Sequence, residues 1–330
     1  MISTMKDVAL VVPSIRKESF ERFQEEWGRV GLFDKVDLIL VEDNPCKTFD
    51  APKAVEHVSW SEIDKHRWSW IIPRRSDTVR SFGYWLAWDR QYKFLMTLDD
   101  DCYPSKDAEF HDLPGFHRSM LEGRTKWFNT LNSVRPRGVP YYNIGTREVH
   151  VNHGIWQGVL DFDAPQQLVN PVKEAYTYDN RIVPHGVYFP FCGMNWMCRR
   201  EAIPLMYHLM MGRKWNLRPL PFDRFGDIWC GIIMKKICDH LRWSVSTGTP
   251  YIHHDRASNP FTNLKKEANG IEVNEWFWEK IDAVELTGKT APECYAEIGR
   301  AVQSIGSGTD NEIYWRDLGS SMVTWAELFK

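Results

Sequence analysis

The chain has 330 residues, 43% of them hydrophobic and 26% charged, enough to bury a substantial core as one large domain or one domain with an appendage. Its formal charge is −3 and its pI about 6.4, so it lacks the basic field that autonomous binding of duplex nucleic acid or an anionic membrane requires. Any polyanion has to be held locally.

Val8 to Val12 is an apolar run closed by Pro13-Ser14 and predicts a buried strand; Glu18 to Val30 has the apolar spacing of an amphipathic helix. Val36 to Val41 predicts a second strand, ending in Glu42-Asp43-Asn44-Pro45, so the chain opens as the β-α-β unit of a parallel sheet. A carboxylate at that tip suits a ribose hydroxyl or a base N–H, and equally an Asx turn before Pro45. Trp60 to Arg75 mixes aromatic and basic residues, and Asp77 to Arg90 predicts a helix that carries Arg80.

Lys93 to Leu98 is apolar on both faces, as a central strand of a covered sheet must be, and it runs directly into Asp99-Asp100-Asp101 and Cys102-Tyr103-Pro104. Ligands of open α/β sheets collect beyond the carboxyl ends of such strands. Three adjacent carboxylates repel unless a cation sits among them, and Mg²⁺ or Mn²⁺ prefers carboxylate oxygens together with substrate phosphates. The triplet therefore reads as a cradle for metal and diphosphate; an acidic turn capping the strand is the alternative.

Trp127 to Trp156 is rich in Gly, Pro, Arg and aromatics with little helical period, which predicts loops and short strands around a site. Asp223 to Leu241 predicts a helix and Trp243 to Val245 a short strand, and helical periods dominate from about Leu264 onward. The seven cysteines are scattered, without CxxC or zinc spacing, and fit reduced thiols of a cytoplasmic protein. Met1 to Asp7 carries no charged leader, and no stretch approaches the ~20 apolar residues of a membrane span. Sixteen tryptophans suit sugar faces, interfaces or a core alike.

Several ordered blocks together carry a resemblance. Phe128-Asn129-Thr130-Leu131, Asn152-His153-Gly154-Ile155-Trp156, Asp161-Phe162-Asp163-Ala164-Pro165, Phe191-Cys192-Gly193-Met194-Asn195, Ile237-Cys238-Asp239-His240 and Ala257-Ser258-Asn259-Pro260-Phe261 closely resemble the reversibly glycosylated polypeptide family, whose best-known members are plant UDP-arabinopyranose mutases. Asn263-Leu264-Lys265-Lys266-Glu267 and Met322-Val323-Thr324-Trp325 extend it over nearly the whole chain.

The resemblance implies an α/β, GT-A-like mixed sheet flanked by helices, with a nucleotide-sugar-binding catalytic domain over 1–262 and a C-terminal helical extension over 263–330 packed on it. It implies a UDP-sugar substrate, Mn²⁺ or Mg²⁺, a DXD-type motif and assembly into homo- or hetero-oligomers. By likeness, Asp99 and Asp101 with His254 would hold the metal. Asp43, Arg80, Asp99, Asp100, His153, Trp156, Asn195 and Lys265 would contact the UDP-sugar. Arg137, in Arg137-Gly138-Val139-Pro140-Tyr141, best matches the arginine that becomes glycosylated, and Asp227 and Asp163 are the carboxylates that would assist it. Two departures stand out: Ile144 occupies the place of a second family arginine, with Arg147 nearby, and Asp227 stands alone where plant members carry two aspartates.

Interconverting pyranose and furanose rings on a nucleotide sugar breaks the anomeric C–O bond so that a different hydroxyl closes the ring. A protonated guanidinium, with a pKa above ~12, is a poor nucleophile, so an arginine trap needs a neighbouring carboxylate. No Gly-rich flavin fingerprint is present, so a mutase here would be flavin-free. The competing reading is a glycosyltransferase acting on a separate protein, glycan or modified-nucleobase acceptor.

Overall fold

The computed structural model describes residues 5–127, 134–169, 180–212, 214–215, 218–255 and 259–330. The blocks at Phe128 to Leu131 and Ala257-Ser258 lie outside these residues. Among the described residues the core is a nine-stranded mixed sheet. Its strands are β1 (Val8–Ser14), β2 (Asp37–Glu42), β3 (Ala54–Val58), β4 (Phe94–Thr97), β5 (Cys102–Pro104), β6 (Val149–Gly158), β7 (Arg181–Ile182), β8 (Trp196–Arg199) and β9 (Ser244–His254). The order is β3-β2-β1-β4-β8-β6-β9-β5, with β7 pairing β9. Strands β1 to β4 run parallel, and β8 is antiparallel to both β4 and β6. Strand β9 is parallel to β6. The carboxyl ends of β1, β2, β4, β6 and β9 consequently share one edge with the amino end of β8.

Side-chain alternation along the first strand builds both layers. Val8, Leu10 and Val12 pack with Phe20, Phe23 and Trp27 of α1 (Lys17–Arg29), while Ala9 and Val11 face the larger helical layer. That layer begins with α2 (Arg80–Asp89), which sits tightly on the sheet because Gly83 has no side chain: a Cβ there would lie 2.5 Å from Val11 Cγ1. Helix α3 (Leu113–Leu121) packs Leu113 and Leu121 with the α1 layer instead; the remaining helices are α4 (Ala164–Val169), α5 (Gly226–His240), α6 (Pro260–Asp282), α7 (Ala291–Val302) and α8 (Glu312–Glu327). Trp229 of α5 stacks on Phe277 of α6 at 4.5 Å and lies 5.7 Å from Trp315 of α8. Trp27, Trp196, Trp229, Trp315 and Trp325 are fully buried, so these five tryptophans fill core.

The predicted openings of the chain are observed, including the helix around Arg80, whose first turn, Asp77–Val79, is 3₁₀. Two elements differ. The stretch predicted as loops and short strands up to Trp156 ends in the ten-residue β6, and the short strand predicted at Trp243 to Val245 is the start of the eleven-residue β9. Both carry buried polar residues that disguise a central strand: Asn152 of β6 donates to Thr249 O and accepts from Ser246 Oγ of β9. The helical C-terminal portion opens at Pro260 with Asn259 as cap, its side chain accepting from Phe261 N and Thr262 N. No helix among the described residues is long and apolar enough to cross a membrane.

Candidate active site

An open cleft of about 1300 Å³ lies over the shared strand edge, bounded by the β1–α1 connection, the first turn before α2, the acid triplet, residues 190–194, the start of α5 and one face of α6. Asp43, Arg80, Asp99, Asp100, Asp101, Trp156, Asp163, Asp227 and His254 all line it.

At the tip of β2, Asp43 is buried and accepts from Trp60 Nε1 (2.6 Å), Arg75 N (3.0 Å) and Ser76 N (3.1 Å). Burial raises its pKa, against the pull of those donors. The carboxylate thereby holds the 75–76 turn as part of the cleft wall, and the Arg75 guanidinium lies 5.4 Å over the Trp60 ring.

Each acid beyond β4 has a different partner. Asp99 accepts from Arg80 Nη2 at 2.6 Å, and Arg80 Nη1 donates to Gly193 O at 2.7 Å. Arg80 also pairs with Asp77, which in turn bonds His208 Nδ1. Burial would raise the Asp77 pKa, but Arg80 and His208 outweigh it and hold the carboxyl below its usual range. Asp100 is buried and accepts from Ser14 Oγ (2.5 Å) and from Arg16. Asp101 faces Arg16 Nη2 at 3.4 Å and His254 Nε2 at 3.8 Å. Burial and the charge of Asp99 push the Asp101 pKa up.

On the facing wall, Asp227 in the first turn of α5 accepts from Gly193 N (2.8 Å) and Ile228 N (2.9 Å). Burial and the charge of Asp77 lift its pKa to about 6, so it exchanges a proton near neutrality. Asp163 is exposed, and its Oδ1 accepts from Gln166 N at 2.8 Å, the geometry of a cap on α4.

Other sequence candidates sit behind or outside the cleft. His153 is buried, pushed down to about 3 by burial; its Nε2 accepts from Cys192 N, so Nδ1 donates to Thr247 Oγ1. Asn195 is fully buried with φ +58°, accepts from His117 Nε2, and donates to Ile155 O and Pro250 O. These two residues brace the 191–195 wall from behind. Lys265 is exposed and does not line the cleft, whereas Lys266 does, 3.9 Å from Asp223. One residue is about 100° of helix rotation, enough to move a side chain from one face to another. Arg137 is exposed on the segment between the short strands Arg124–Thr125 and Thr146–Arg147, outside the cleft lining; Arg147 is exposed as well.

Sequence reasoning did not find Arg16, Asp77, His208, Arg224 or Glu267. Buried Glu267 of α6 accepts from Ala164 N (2.7 Å) and Arg224 Nε (2.8 Å), tying three segments of the cleft rim together. The position of Arg16 just past the end of β1 was a usable signal, since that is where such sheets bind ligands.

Among the described residues no three His, Cys, Asp or Glu side chains form a ready-made metal cage. The donors at Asp101 still fit a hard cation that takes few protein ligands and completes its shell with phosphate and water. His254 Nδ1 donates to Val159 O at 2.7 Å, so in neutral His254 the lone pair of Nε2 is turned toward Asp101.

The sequence pattern of the family described as reversibly glycosylated polypeptide matches residues 3–330. UDP-arabinopyranose mutase 3 of Arabidopsis thaliana is 34% identical over 98% of this chain and 91% of its own length. UDP-arabinopyranose mutase 1 of the same plant is 35% identical over 99% and 93%. Among solved structures, glucosyl-3-phosphoglycerate synthase from Mycobacterium tuberculosis aligns with a TM-score of 0.45 at 10% identity, covering 84% of this chain and 80% of that chain, a likeness too distant to bear on the reaction.

Proposed function

The chain belongs to the reversibly glycosylated polypeptide family, and from that premise we propose that it is a metal-dependent UDP-sugar mutase that interconverts UDP-arabinopyranose and UDP-arabinofuranose in the cleft over β1, β2 and β4. The observation that carries the reading is the polarity of that cleft. One side gathers Asp101, His254 and the guanidinium of Arg16 around a place for a diphosphate, and the facing wall presents Asp227, a carboxyl that titrates near neutrality.

In this reading Asp43 and the 75–76 turn receive the uridine, and Asp99, held by Arg80, meets the ribose. Asp101 and His254 would hold the divalent cation, which offsets charge on the diphosphate as the anomeric bond opens. Arg80, buried between Asp77 and Asp99, fixes the carboxylates rather than reaching out itself. When the C1–O bond to UDP breaks, the bonding pair leaves with the diphosphate. A different sugar hydroxyl then closes on C1 and its proton passes to Asp227; return of the diphosphate oxygen to C1 gives the isomer, and Asp227 gives the proton to the oxygen released from the old ring.

Arginine self-glycosylation is proposed for Arg137 on its family-like context alone. Its exposed position outside the cleft favours a second reading, transfer of the sugar to a separate acceptor that enters the open cleft. Incubation with UDP-arabinopyranose and Mn²⁺, without acceptor, separates the two. The mutase reading expects UDP-arabinofuranose to accumulate, lost in Asp101→Asn; metal-dependent UDP binding without conversion would overturn it in favour of transfer. Intact mass of the wild type and Arg137→Ala reads self-glycosylation directly.

A further inference from the structure

Three carboxylates share the end of β4, and two guanidiniums are set against them on very different terms. Arg80 is buried, with a side chain 5% exposed, and is fixed by Asp77, Asp99 and Gly193 O. Arg16 stands in the short connection between β1 and α1, with a side chain 38% exposed. Its Nη2 donates to Asp100 and reaches Asp101 Oδ2 at 3.4 Å, while its Nε lies 3.4 Å from Asp100 Oδ2. Asp100 keeps a second donor in Ser14 Oγ. The Asp101 carboxylate has no closer partner among the described residues than Arg16 at 3.4 Å and His254 at 3.8 Å.

Arg16 therefore holds Asp101 by Oδ2, next to the Oδ1 that faces His254, while remaining open to solvent. A guanidinium and a divalent ion on one carboxylate repel, so bare metal entering beside His254 has to compete with Arg16. A diphosphate arriving with the metal reverses the balance, because it brings negative charge and offers oxygens that a planar guanidinium binds in bidentate fashion. We propose that Arg16 is an exchangeable counter-ion that holds Asp100 and Asp101 in the empty cleft and moves from Asp101 to the diphosphate when metal and nucleotide enter. This rests on the metal and UDP reading above. Its consequence is strong positive coupling between metal and nucleotide, which the arginine itself generates.

The test is Mn²⁺ binding followed by the EPR signal of free Mn²⁺, with and without saturating UDP, in the wild type, Arg16→Met and Arg16→Lys. In the wild type, UDP tightens Mn²⁺ at least a hundredfold. Arg16→Met binds Mn²⁺ alone tenfold or more tighter, yet binds it tenfold or more weaker when UDP is present. Arg16→Lys keeps the charge without the planar fork, so it retains the sign of both effects at reduced size. A merely structural Arg16 would weaken both arms in the methionine variant, and either that result or an unchanged affinity in either arm overturns the proposal. A wild type that takes up no Mn²⁺ even with UDP overturns the metal reading itself, a distinct outcome.

Discussion

Replacing Arg80 with methionine removes the cation on which two acids and a backbone carbonyl converge. Nη2 is 2.6 Å from Asp99 Oδ1 and also pairs with Asp77, and Nη1 is 2.7 Å from Gly193 O. Taking one member from a buried pair costs about 3–5 kcal/mol, since the remaining charge is stranded. The Asp99 and Asp77 side chains are 27% and 37% exposed, so water recovers part of that loss. The expected destabilisation is about 3 kcal/mol. With an unfolding entropy of about 2 cal/mol/K per residue, this corresponds to roughly 4 °C in Tm for a chain of this size. Urea unfolding of the wild type, Arg80→Met, Asp99→Asn and the double variant measures it. The double variant is expected to be more stable than the sum of the singles predicts, because asparagine removes the stranded charge. The acid side supplies a second check. Asp77 is held below its usual 3.8, so the wild type draws stability from it above that pH and loses it as pH falls through the lowered value; Arg80→Met has less of this to lose. A loss below about 1 kcal/mol with additive singles would mean that neither acid depends on Arg80 for its charge.

Asp227→Asn is expected to lower conversion by at least about a hundredfold, the usual scale for loss of a general acid or base. Because burial raises the Asp227 pKa from 3.8 to about 6, stability falls as pH rises from the lower value through the higher one; the asparagine variant escapes this loss and is relatively more stable at pH 8 than at pH 5, by on the order of 1–1.5 kcal/mol in urea. Asp163→Asn, which keeps a capping oxygen, retains activity within a few-fold, while Asp163→Ala loses about 1 kcal/mol of stability; abolished turnover in the asparagine variant would show that Asp163 acts chemically. A Cβ at Gly231 would stand 2.1 Å from Phe191 Cβ, so Gly231→Ala should cost about 1–3 kcal/mol and raise KM by displacing the 191–194 wall, both read from thermal unfolding and initial rates.

Strands β1, β2 and β4 were legible because both their faces are buried among apolar residues, and strand direction put Asp43 and the acid triplet at their tips as candidates, with a turn reading of each left open. Strands β6 and β9 were obscured by their chemistry: His150, Asn152, His153, Ser246 and Thr249 are all buried, and glycine and proline interrupt β9 where its register against β6 shifts between Gly248 and Ile252. His153 and Asn195 looked like ligands for the same reason, since a polar residue in a matched block carries no sign of whether it faces substrate or braces a wall. The cations were harder still. Arg16 meets Asp100 across 84 residues, and His208 meets Asp77 across 131, separations at which no local pattern constrains pairing. Lys266 rather than Lys265 faces the cleft because helix phase, invisible in a pair of adjacent lysines, decides between them.

A cleft that takes the nucleotide sugar, with the metal at Asp101, has to show both ligands bound together. Crystals soaked with Mn²⁺ and UDP, with diffraction recorded at the manganese absorption edge, test it most directly. An anomalous peak is expected between Asp101 and His254, with the diphosphate beside it and the uridine against Asp43. Nucleotide bound at another surface, or manganese located away from Asp101, would contradict it.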